Sequence, residues 1–364
     1  MKIRGDQQEF LHGIQYVQNV ISQRATLPIL SHILIKAEEQ KVTLSGTDLE
    51  VGVTCPIPVS IEEEGGITLP ARKFADIIKE LPVSEVVIHA KKNNMASIEC
   101  GKVFFRIAGL PKEDFPKFPS FGEKETLVLP QKTFQTMIQM TSFAMSFDET
   151  RYVLNGVFLK ADGGRLTLVA TDGRRLALIE KTLENPAREG MEMVVPTKAI
   201  QELNRILKGD GNLKIFKREN QVLFDLGEAS LITRLVEGEY PNYQQVIPKE
   251  TGDKVRIDRQ ELLQATRRAS LLTSQESQSV KFDVLKDKVV VSKSSSEIGE
   301  AREELEAQYR GKEFSIGFNP HYLIDGLKNI NDEEVHLELE GPEKPGVIRT
   351  KDRFIYIVLP MQLS

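Results

Sequence analysis

Apolar residues recur along the chain at the spacing of one helix face. In three segments they fall at i, i+3, i+4 and i+7, which predicts amphipathic helices over Gln7–Gln23, Pro130–Ser146 and Asp258–Ser274. The three starts lie about 120 to 130 residues apart, far more than the period of a solenoid. The spacing therefore indicates an internal repeat of domain size.

A second set of helices recurs at the same interval. These segments begin at Leu69, Val195 and Phe318 and read LPARKFADIIKEL, VPTKAIQELNRIL and FNPHYLIDGLKNI. Each has a proline near its start, where the missing N–H of proline costs a helix nothing. We predict one such helix in the second half of every repeat.

Between the helices, apolar and polar residues alternate around short polar turns. SHILIKAEEQKVTLSGTDLEVGV in the first repeat matches NGVFLKADGGRLTLVATDGRRLAL in the second, and VKFDVLKDKVVVSKSSSEIGEA stands in the third. Such alternation is typical of half-buried hairpin strands. The pairs Thr47-Asp48 and Thr171-Asp172 take the same place in their repeats, 124 residues apart.

The order helix, hairpins, helix, hairpins thus occurs three times. It predicts an α+β fold of three repeated domains, each with two helices packed on antiparallel sheets. The boundaries fall near residues 124 and 250, so that the domains cover 1–124, 125–250 and 251–364. Chance similarity of amphipathic patterns is the alternative, and the constant order of helices, turns and Thr-Asp pairs argues against it.

Composition excludes several classes of protein. Of the 364 residues, 40% are hydrophobic and 28% are charged, as in ordinary globular chains. No apolar stretch reaches the roughly 18 residues of a membrane span, and MKIRGDQQEF has no signal-peptide core. Two cysteines, Cys55 and Cys100, make no disulfide framework. We therefore expect a cytoplasmic protein without membrane association.

Signatures of enzyme chemistry are missing. The sequence contains no phosphate-binding loop, dinucleotide fingerprint or nucleophile elbow. The five histidines lack metal-ligand spacing, so we expect no metal and no cofactor. The segment 171–175 places an acid beside two arginines. We interpret it as a turn that the Asp172 side chain stabilises and in which Gly173 supplies an unusual backbone angle.

Charge is unevenly distributed along the chain. There are 53 acidic and 48 basic residues, a formal net charge of −5, yet the predicted helices carry a net positive charge. A solvated helix face is the ordinary explanation of such charges. The same separation suits a helix-lined concave surface beside a polyanion, with contacts to phosphates that carry no sequence information.

The run Val358-Leu359-Pro360-Met361 is also notable, because it is apolar and contains a proline. It fits a final core strand that ends at Pro360, since proline cannot donate to a ladder. Met361 could instead help line a surface pocket, because methionine adapts to varied ligands.

Taken with this triplication, the whole chain resembles the family of DNA polymerase III beta subunits, the replicative sliding clamps of bacteria. The segments that carry the resemblance are, in order, RATLPIL (24–30), GTDLE (46–50), PARKF (70–74), RYVLNG (151–156), ATDGRRLAL (170–178), VPTKAI (195–200), EGEYPNY (237–243), IGFN (316–319) and VLPMQL (358–363). The resemblance implies a head-to-tail dimeric ring with helices inside and antiparallel sheet outside. Such a homodimer encircles duplex DNA, without sequence specificity, and tethers polymerase.

The resemblance also implies three sets of site residues. The DNA contacts are Arg24, Arg72, Tyr152 and Lys198. The seam between subunits joins Phe105 and Ile107 to Leu271 and Leu272. A pocket between domains two and three binds partner peptides through Leu154, Thr171, Gly173, Arg174, Arg175, Leu176, Pro241, Val246, Val358, Pro360 and Met361. The peptides carry a glutamine, an aliphatic residue and a final aromatic residue or leucine, and the arginines and methionine would gate the pocket.

The implied partners are the polymerase III alpha subunit, the clamp-loader delta subunit, and other polymerases and repair proteins with the clamp-binding motif. The chain departs from relatives at several of these places. Arg174 replaces a common histidine and Gln245 replaces an arginine. Asp148 stands in place of a neutral amide, Val153 in place of a second tyrosine, and Thr197 in place of one cation of a basic pair. These departures concern both the peptide preference and the DNA contacts.

Three other functions stay open on the residues alone. A hydrolase could use Asp172 with an arginine, and substrate turnover would distinguish it. A scaffold could bind peptides without DNA, and it would not be retained on closed circular DNA. A DNA-binding regulator would show salt-sensitive affinity for short linear duplex, which the net charge argues against.

Overall fold

The chain folds into two compact units. The computed structural model describes residues 1–22, 27–122, 125–249, 254–296 and 298–363. The first unit is Met1–Phe134 with Gln201–Leu235, and the second is Gln135–Ile200 with Val236–Ser364. The domain boundaries predicted near 124 and 250 fall on or beside residues outside the described ranges, and they stay predictions.

Each repeat contributes two α-helices in the described part of the chain. They are α1 (Gln7–Val17), α2 (Ala71–Glu80), α3 (Gln131–Thr141), α4 (Thr197–Ile206), α5 (Arg259–Ser270) and α6 (Pro320–Asn329). All six predicted helices are confirmed. None of them is long and apolar enough to pass through a bilayer.

The predicted helix ends were wrong by several residues, for physical reasons. The first set runs too far, because the apolar period continues into tight 3-10 turns at 18–20 and 142–144. The second set starts too early in α2, because Pro70 ends a strand and only caps the helix. The predicted start at Phe318 is also too early for α6, but there the proline is the first helical residue, as expected.

Twenty-five strands surround these helices in the described residues. The first repeat holds β1 (Lys2–Asp6), β2 (His32–Glu38), β3 (Lys41–Thr47), β4 (Val51–Ile57), β5 (Ser60–Glu63), β6 (Gly65–Pro70), β7 (Glu85–Ala90), β8 (Met95–Cys100) and β9 (Val103–Ala108). The second holds β10 (Leu127–Pro130), β11 (Gly156–Asp162), β12 (Arg165–Thr171), β13 (Arg175–Thr182), β14 (Met191–Pro196), β15 (Asn212–Arg218), β16 (Gln221–Asp225) and β17 (Ser230–Arg234). The third holds β18 (Lys254–Asp258), β19 (Val280–Leu285), β20 (Lys288–Ser295), β21 (Gly299–Gln308), β22 (Phe314–Phe318), β23 (Glu334–Glu338), β24 (Gly346–Arg349) and β25 (Phe354–Val358).

The internal repeat is visible in the strand register. In β2 and β3, Leu34 lies opposite Ser45, and in β11 and β12, Phe158 lies opposite Val169. Both members of the second pair lie 124 residues after those of the first, as the sequence match requires. The predicted hairpins of repeats one and two are therefore confirmed as copies of one structure.

Two of the three sheets in the described structure run across the borders between repeats. The first unit has a five-stranded sheet in the order β5-β1-β7-β8-β9 and an eight-stranded sheet in the order β10-β15-β16-β17-β4-β3-β2-β6. The second has a twelve-stranded sheet in the order β14-β11-β12-β13-β25-β24-β23-β18-β21-β20-β19-β22. The antiparallel pairs β4–β17 and β13–β25 join strands of different repeats. The compact units differ from the predicted domains because these pairs bind neighbouring repeats together.

Helices pack on the sheets through fully buried side chains. In the first unit, α1 buries Phe10 and Ile14 and contacts β3, β4 and α2. In the second unit, α5 contacts α6, and β25 lies against α6 through Tyr356, whose hydroxyl donates to Tyr322 O at 2.7 Å. β13 and β25 pair side by side, and α6 contacts β25 on the face that carries Tyr356.

Candidate functional site

The segment 171–175 is a hydrogen-bonded turn between β12 and β13. The Thr171 hydroxyl donates to Arg175 O at 2.5 Å and accepts from Gly173 N at 3.1 Å. Asp172 Oδ1 accepts from Arg174 N and Arg175 N at 2.9 and 3.0 Å. Gly173 has φ +85°, which side chains disfavour. The interpretation as a turn stabilised by Asp172 is confirmed.

The same turn occurs at the matching position of the first repeat. The Thr47 hydroxyl donates to Val51 O at 2.9 Å, and Asp48 Oδ1 accepts from Glu50 N and Val51 N. Leu49 has φ +80° there, so the first repeat holds a leucine in the conformation that the second gives to glycine. The Thr-Asp pair is thus a structural signature of the repeat.

We expect Gly173→Ala to weaken the turn. The left-handed conformation costs alanine about 1–2 kcal/mol, and its Cβ would stand 2.6 Å from Arg151 Nη1. Gly227→Ala is the matched control, because Gly227 also has φ +85° but its Cβ would meet nothing within 4 Å. Thermal unfolding should show a larger drop in melting temperature for Gly173→Ala than for Gly227→Ala. Equal losses for the two variants would contradict this account of the turn.

An apolar cavity of about 210 Å³ opens beside this turn. Its lining comprises Leu154, Thr171, Gly173, Arg174, Arg175, Leu176, Pro241, Asn242, Tyr243, Val246, Ile357 and Leu359. All of these residues belong to the second unit. The structure thus brings together eight of the eleven residues predicted for the peptide pocket.

The cavity rests on a buried apolar cluster, so it is preformed. Leu154, Leu176 and Ile357 line the cavity and also belong to that cluster. Beneath them the Tyr240 ring stacks on Phe158 with centroids 4.9 Å apart. Burial raises the pKa of Tyr240, so its hydroxyl stays neutral. The floor of the cavity is therefore well packed and apolar.

The two arginines of the turn have different environments. The Arg175 guanidinium is bonded to Asp172 Oδ2 at 3.1 Å, Asp325 Oδ2 at 2.7 Å and Phe143 O at 2.6 Å. Burial opposes its charge, but the Asp325 hydrogen bond and nearby negative groups outweigh burial, and the pKa of Arg175 is raised. Arg174 is exposed, and its side chain makes no ion pair in the described part of the chain. Of the two, Arg174 is the one able to swing towards a ligand.

The end of the chain contributes different residues from those predicted. Ile357 and Leu359 line the cavity, whereas Val358, Pro360 and Met361 are not in its lining. Leu176 lies opposite Ile357 in the β13–β25 pair, so their side chains share a face, and Val358 lies on the other. Met361 forms an isolated bridge with Gly317. The role of these three residues in peptide binding stays a prediction.

Asn242 and Tyr243 were also missed. They adjoin Pro241, which was predicted; Asn242 caps the 3-10 turn 243–246 and Tyr243 begins it. The turn lies in the segment 240–249, which we call the connector and which forms one wall of the cavity. Proximity in sequence to Pro241 and Val246 was the signal that could have found them.

The predicted DNA contacts lie on exposed surface where the structure describes them. Arg72 is exposed in the first turn of α2, and Lys198 is exposed in the first turn of α4. Tyr152 is 58% exposed in the 3-10 segment 149–154. Arg24 lies outside the described residues. Their contact with DNA stays a prediction.

The predicted seam residues expose apolar surface. Phe105 is 38% exposed, and with Ile107 it lies on β9, the last strand in its sheet order. Leu271 is 78% exposed just after α5, and Leu272 is half-buried beside it. Exposed apolar side chains on an edge strand are uncommon in isolated domains, and they favour an interface.

Groups that could support metal or thiol chemistry are not evident among the described residues. No cluster of three or more His, Cys, Asp or Glu side chains there could hold a metal ion. Both cysteines are buried, and burial above all raises the pKa of the Cys55 thiol to about 12. A thiol in that state is a poor nucleophile.

Comparison with known proteins identifies relatives over the whole chain. Family models of the DNA polymerase III beta subunit match in three parts: the N-terminal domain at residues 1–119, the central domain at 128–242 and the C-terminal domain at 244–362. The beta sliding clamp of Chlamydia muridarum is 32% identical over 364 residues, covering 100% of this chain and 99% of the relative. That of Staphylococcus aureus is 36% identical over 366 residues, covering 97% of each.

Solved structures agree with the sequence comparison. The crystal structure of the DNA polymerase sliding clamp from Bacillus subtilis superposes with a TM-score of 0.96 at 32% sequence identity, covering 100% of both chains. The similarity therefore extends from the sequence to the complete fold.

Proposed function

The chain belongs to the DNA polymerase III beta subunit family, the DNA sliding clamps, and on this premise we propose that the cavity beside the 171–175 turn binds its partners. The observation that carries the proposal is the preformed apolar cavity at the start of β13. Its occupant is a short peptide segment with a glutamine, an aliphatic residue and a final aromatic residue or leucine. The polymerase III alpha subunit, the clamp-loader delta subunit, and other polymerases and repair proteins would supply such segments.

The lining matches this chemistry. Leu154, Leu176, Val246 and Ile357 offer apolar surface for the aliphatic and aromatic side chains, and Asn242 offers an amide to the glutamine. One small cavity usually supports micromolar affinity, about −8 kcal/mol at 1 μM. Moderate affinity lets several partners exchange in turn, and a second copy of the pocket would add avidity.

Titration of a labelled five-residue peptide of this type, followed by fluorescence anisotropy, tests the proposal. We expect saturable binding in the micromolar range, competed by the same peptide without label. A peptide with alanine at its last position should bind at least tenfold more weakly, because it leaves the apolar floor unfilled. Equal binding of the two peptides would contradict the proposal.

We also propose that the chain forms a homodimer, and the exposed apolar side chains of β9 and of the segment after α5 support this proposal. We propose that Phe105 and Ile107 of one copy cover Leu271 and Leu272 of the other, head to tail, and that two such contacts close a ring. Phe104, 53% exposed beside Phe105, would be covered by the same contact. The ring would encircle duplex DNA in the cytoplasm.

The DNA contacts of such a ring would be few and interchangeable. Arg24, Arg72, Tyr152 and Lys198 would contact phosphates, which position the duplex without reading its sequence. A ring holds DNA by topology, so weak contacts suffice and permit sliding.

Reversing two of these charges, Arg72→Glu with Lys198→Glu, should impair loading but not retention. We expect several-fold less protein to be loaded onto circular DNA. The plot of log loading against log salt concentration should also become flatter by a slope of about 2, since each phosphate contact contributes about 0.9. Lys92→Glu with Lys351→Glu is the control, because it changes the net charge equally at exposed positions on turns. Equal loading by both double variants would count against these contacts.

An enzyme is the second candidate, and the geometry around Asp172 argues against it. One carboxylate oxygen accepts two backbone N–H groups and the other is held by Arg175. A carboxylate so engaged is a poor general base. We propose that the protein performs no catalytic step and acts by tethering.

A further inference from the structure

The connector that forms one wall of the cavity is weakly held by its own backbone. Pro241, Asn242, Tyr243 and Val246 line the cavity, while most of residues 241–249 are exposed. Outside its own 3-10 turn, the backbone-to-backbone hydrogen bonding of 240–249 in the described structure is local, from Gln245 N to Asn242 O at 3.4 Å. Gln244 N also donates to the Asn242 side chain, at 3.2 Å from Oδ1. Something other than strand pairing must hold this wall in place.

A partly buried ion pair at the end of the connector supplies that hold. Arg349, the last residue of β24, donates from Nη2 to Pro248 O at 2.6 Å and from Nε to Glu338 Oε2 at 3.1 Å. The Glu338 side chain is 2% exposed, and Lys254 Nζ lies 3.3 Å from its other oxygen. The rigid guanidinium group of Arg349 thus bonds the fixed carboxylate with one nitrogen and the backbone carbonyl of the connector with another.

The pair lies next to the cavity without lining it. Pro248 comes two residues after Val246, and Arg349 pairs in register with Ile355 of β25. Tyr243 and Ile247 of the connector pack against the same apolar cluster as Ile355. The connector is therefore fixed in its middle by apolar contacts and at its end by Arg349.

We infer that Arg349, oriented by Glu338, is a positioning residue for peptide binding: it holds the connector at the separation from β13 and β25 that a partner peptide fills. The inference rests on the proposed function of the cavity. Loss of the Arg349 side chain removes no contact with the peptide. It frees the wall, so the peptide should dissociate faster while its association rate changes little.

Two variants of Arg349 separate positioning from charge. Arg349→Met removes the fork and keeps the length, whereas Arg349→Lys keeps the charge but cannot bridge both acceptors in fork geometry. If Arg349 only attracted acidic partners, the lysine variant would bind normally. Arg353→Met is the control, since Arg353 is an exposed arginine of the same region whose side chain has no ion pair in the described residues.

A second readout reports on the connector itself. Because Cys55 and Cys100 are buried, a fluorophore attached through Gln245→Cys labels the exposed connector specifically. Its anisotropy measures the mobility of this wall in the absence of peptide. Arg349→Met alone leaves the buried Glu338 carboxylate partly unpaired, which could destabilise the protein. The double variant Arg349→Met with Glu338→Gln removes that charge as well, so its effect on binding does not come from an unpaired carboxylate.

Peptide dissociation rates and connector anisotropy, measured well below the melting temperature of each variant, test the inference. We expect at least tenfold faster dissociation and lower anisotropy with Arg349→Met, with Arg349→Lys and with the double variant, and no change with Arg353→Met. Normal dissociation in the Arg349 variants, or unchanged anisotropy, would overturn it, even if melting temperatures fall. If the unsubstituted protein binds no peptide, the proposed function fails instead, and the anisotropy still decides whether Arg349 holds the connector.

Discussion

Replacing Leu176 by alanine should reduce affinity for partner peptides by about 10- to 100-fold, because a buried leucine contact is worth about 1.5–3 kcal/mol. Leu176 is 4% exposed and forms part of the cavity floor. Its removal leaves a void where the peptide's apolar side chain would pack. Anisotropy titration of the labelled peptide measures the loss.

Leu178→Ala is the matched control for this variant. Leu178 lies two residues along the same strand, is also 4% exposed and belongs to the same buried cluster, but it does not line the cavity. Both variants should lose about 2–5 kcal/mol of stability, as large-to-small core changes do. Only Leu176→Ala should lose peptide affinity. Equal affinities would show that the effect comes from stability and that the peptide binds elsewhere.

Leu271→Asp combined with Leu272→Asp should convert the proposed dimer to a monomer. The substitutions remove the apolar surface that both leucines would bury in the seam. They also place two carboxylates there without a partner of opposite charge. We expect the affinity between the two subunits to fall by about 100-fold or more from the lost apolar area alone, at about 1.5–3 kcal/mol per leucine. Light scattering at micromolar concentration should show the molar mass halved.

Val83→Asp controls for the loss of exposed apolar surface as such. Val83 is 75% exposed, close to the 78% of Leu271, but no seam is predicted there. It should leave the dimer intact. A dimer that persists in the Leu271 and Leu272 variant would place the seam elsewhere, whereas monomers in both variants would point to general destabilisation.

Elements with a clear period were predictable from the sequence. All six helices and the hairpins around 32–57 and 156–182 follow from apolar spacing, and the 171–175 turn follows from its Asp and Gly. The helix ends were less predictable, because apolar spacing continues into 3-10 turns and through the prolines that end strands.

The joining of repeats was not predictable from periodicity. The pairs β4–β17 and β13–β25 link strands about 180 residues apart, and such pairing leaves no local signal. The resemblance named eight of the residues that line the cavity, but it did not name Ile357 and Leu359. Ile357 and Val358 are both buried, so apolar alternation does not reveal which face β25 turns to the cavity.

Retention on DNA circles tests the encircling ring most directly. Fluorescent protein is loaded onto a nicked circular plasmid by the clamp loader of a relative with ATP, isolated by gel filtration in high salt, and filtered again after one double-strand cut. The relative's own clamp verifies the loader. The account predicts stable co-elution with the circle and release from the linear product. Equal retention on circular and linear DNA, or no retention on circles under conditions that load the relative's clamp, would contradict it.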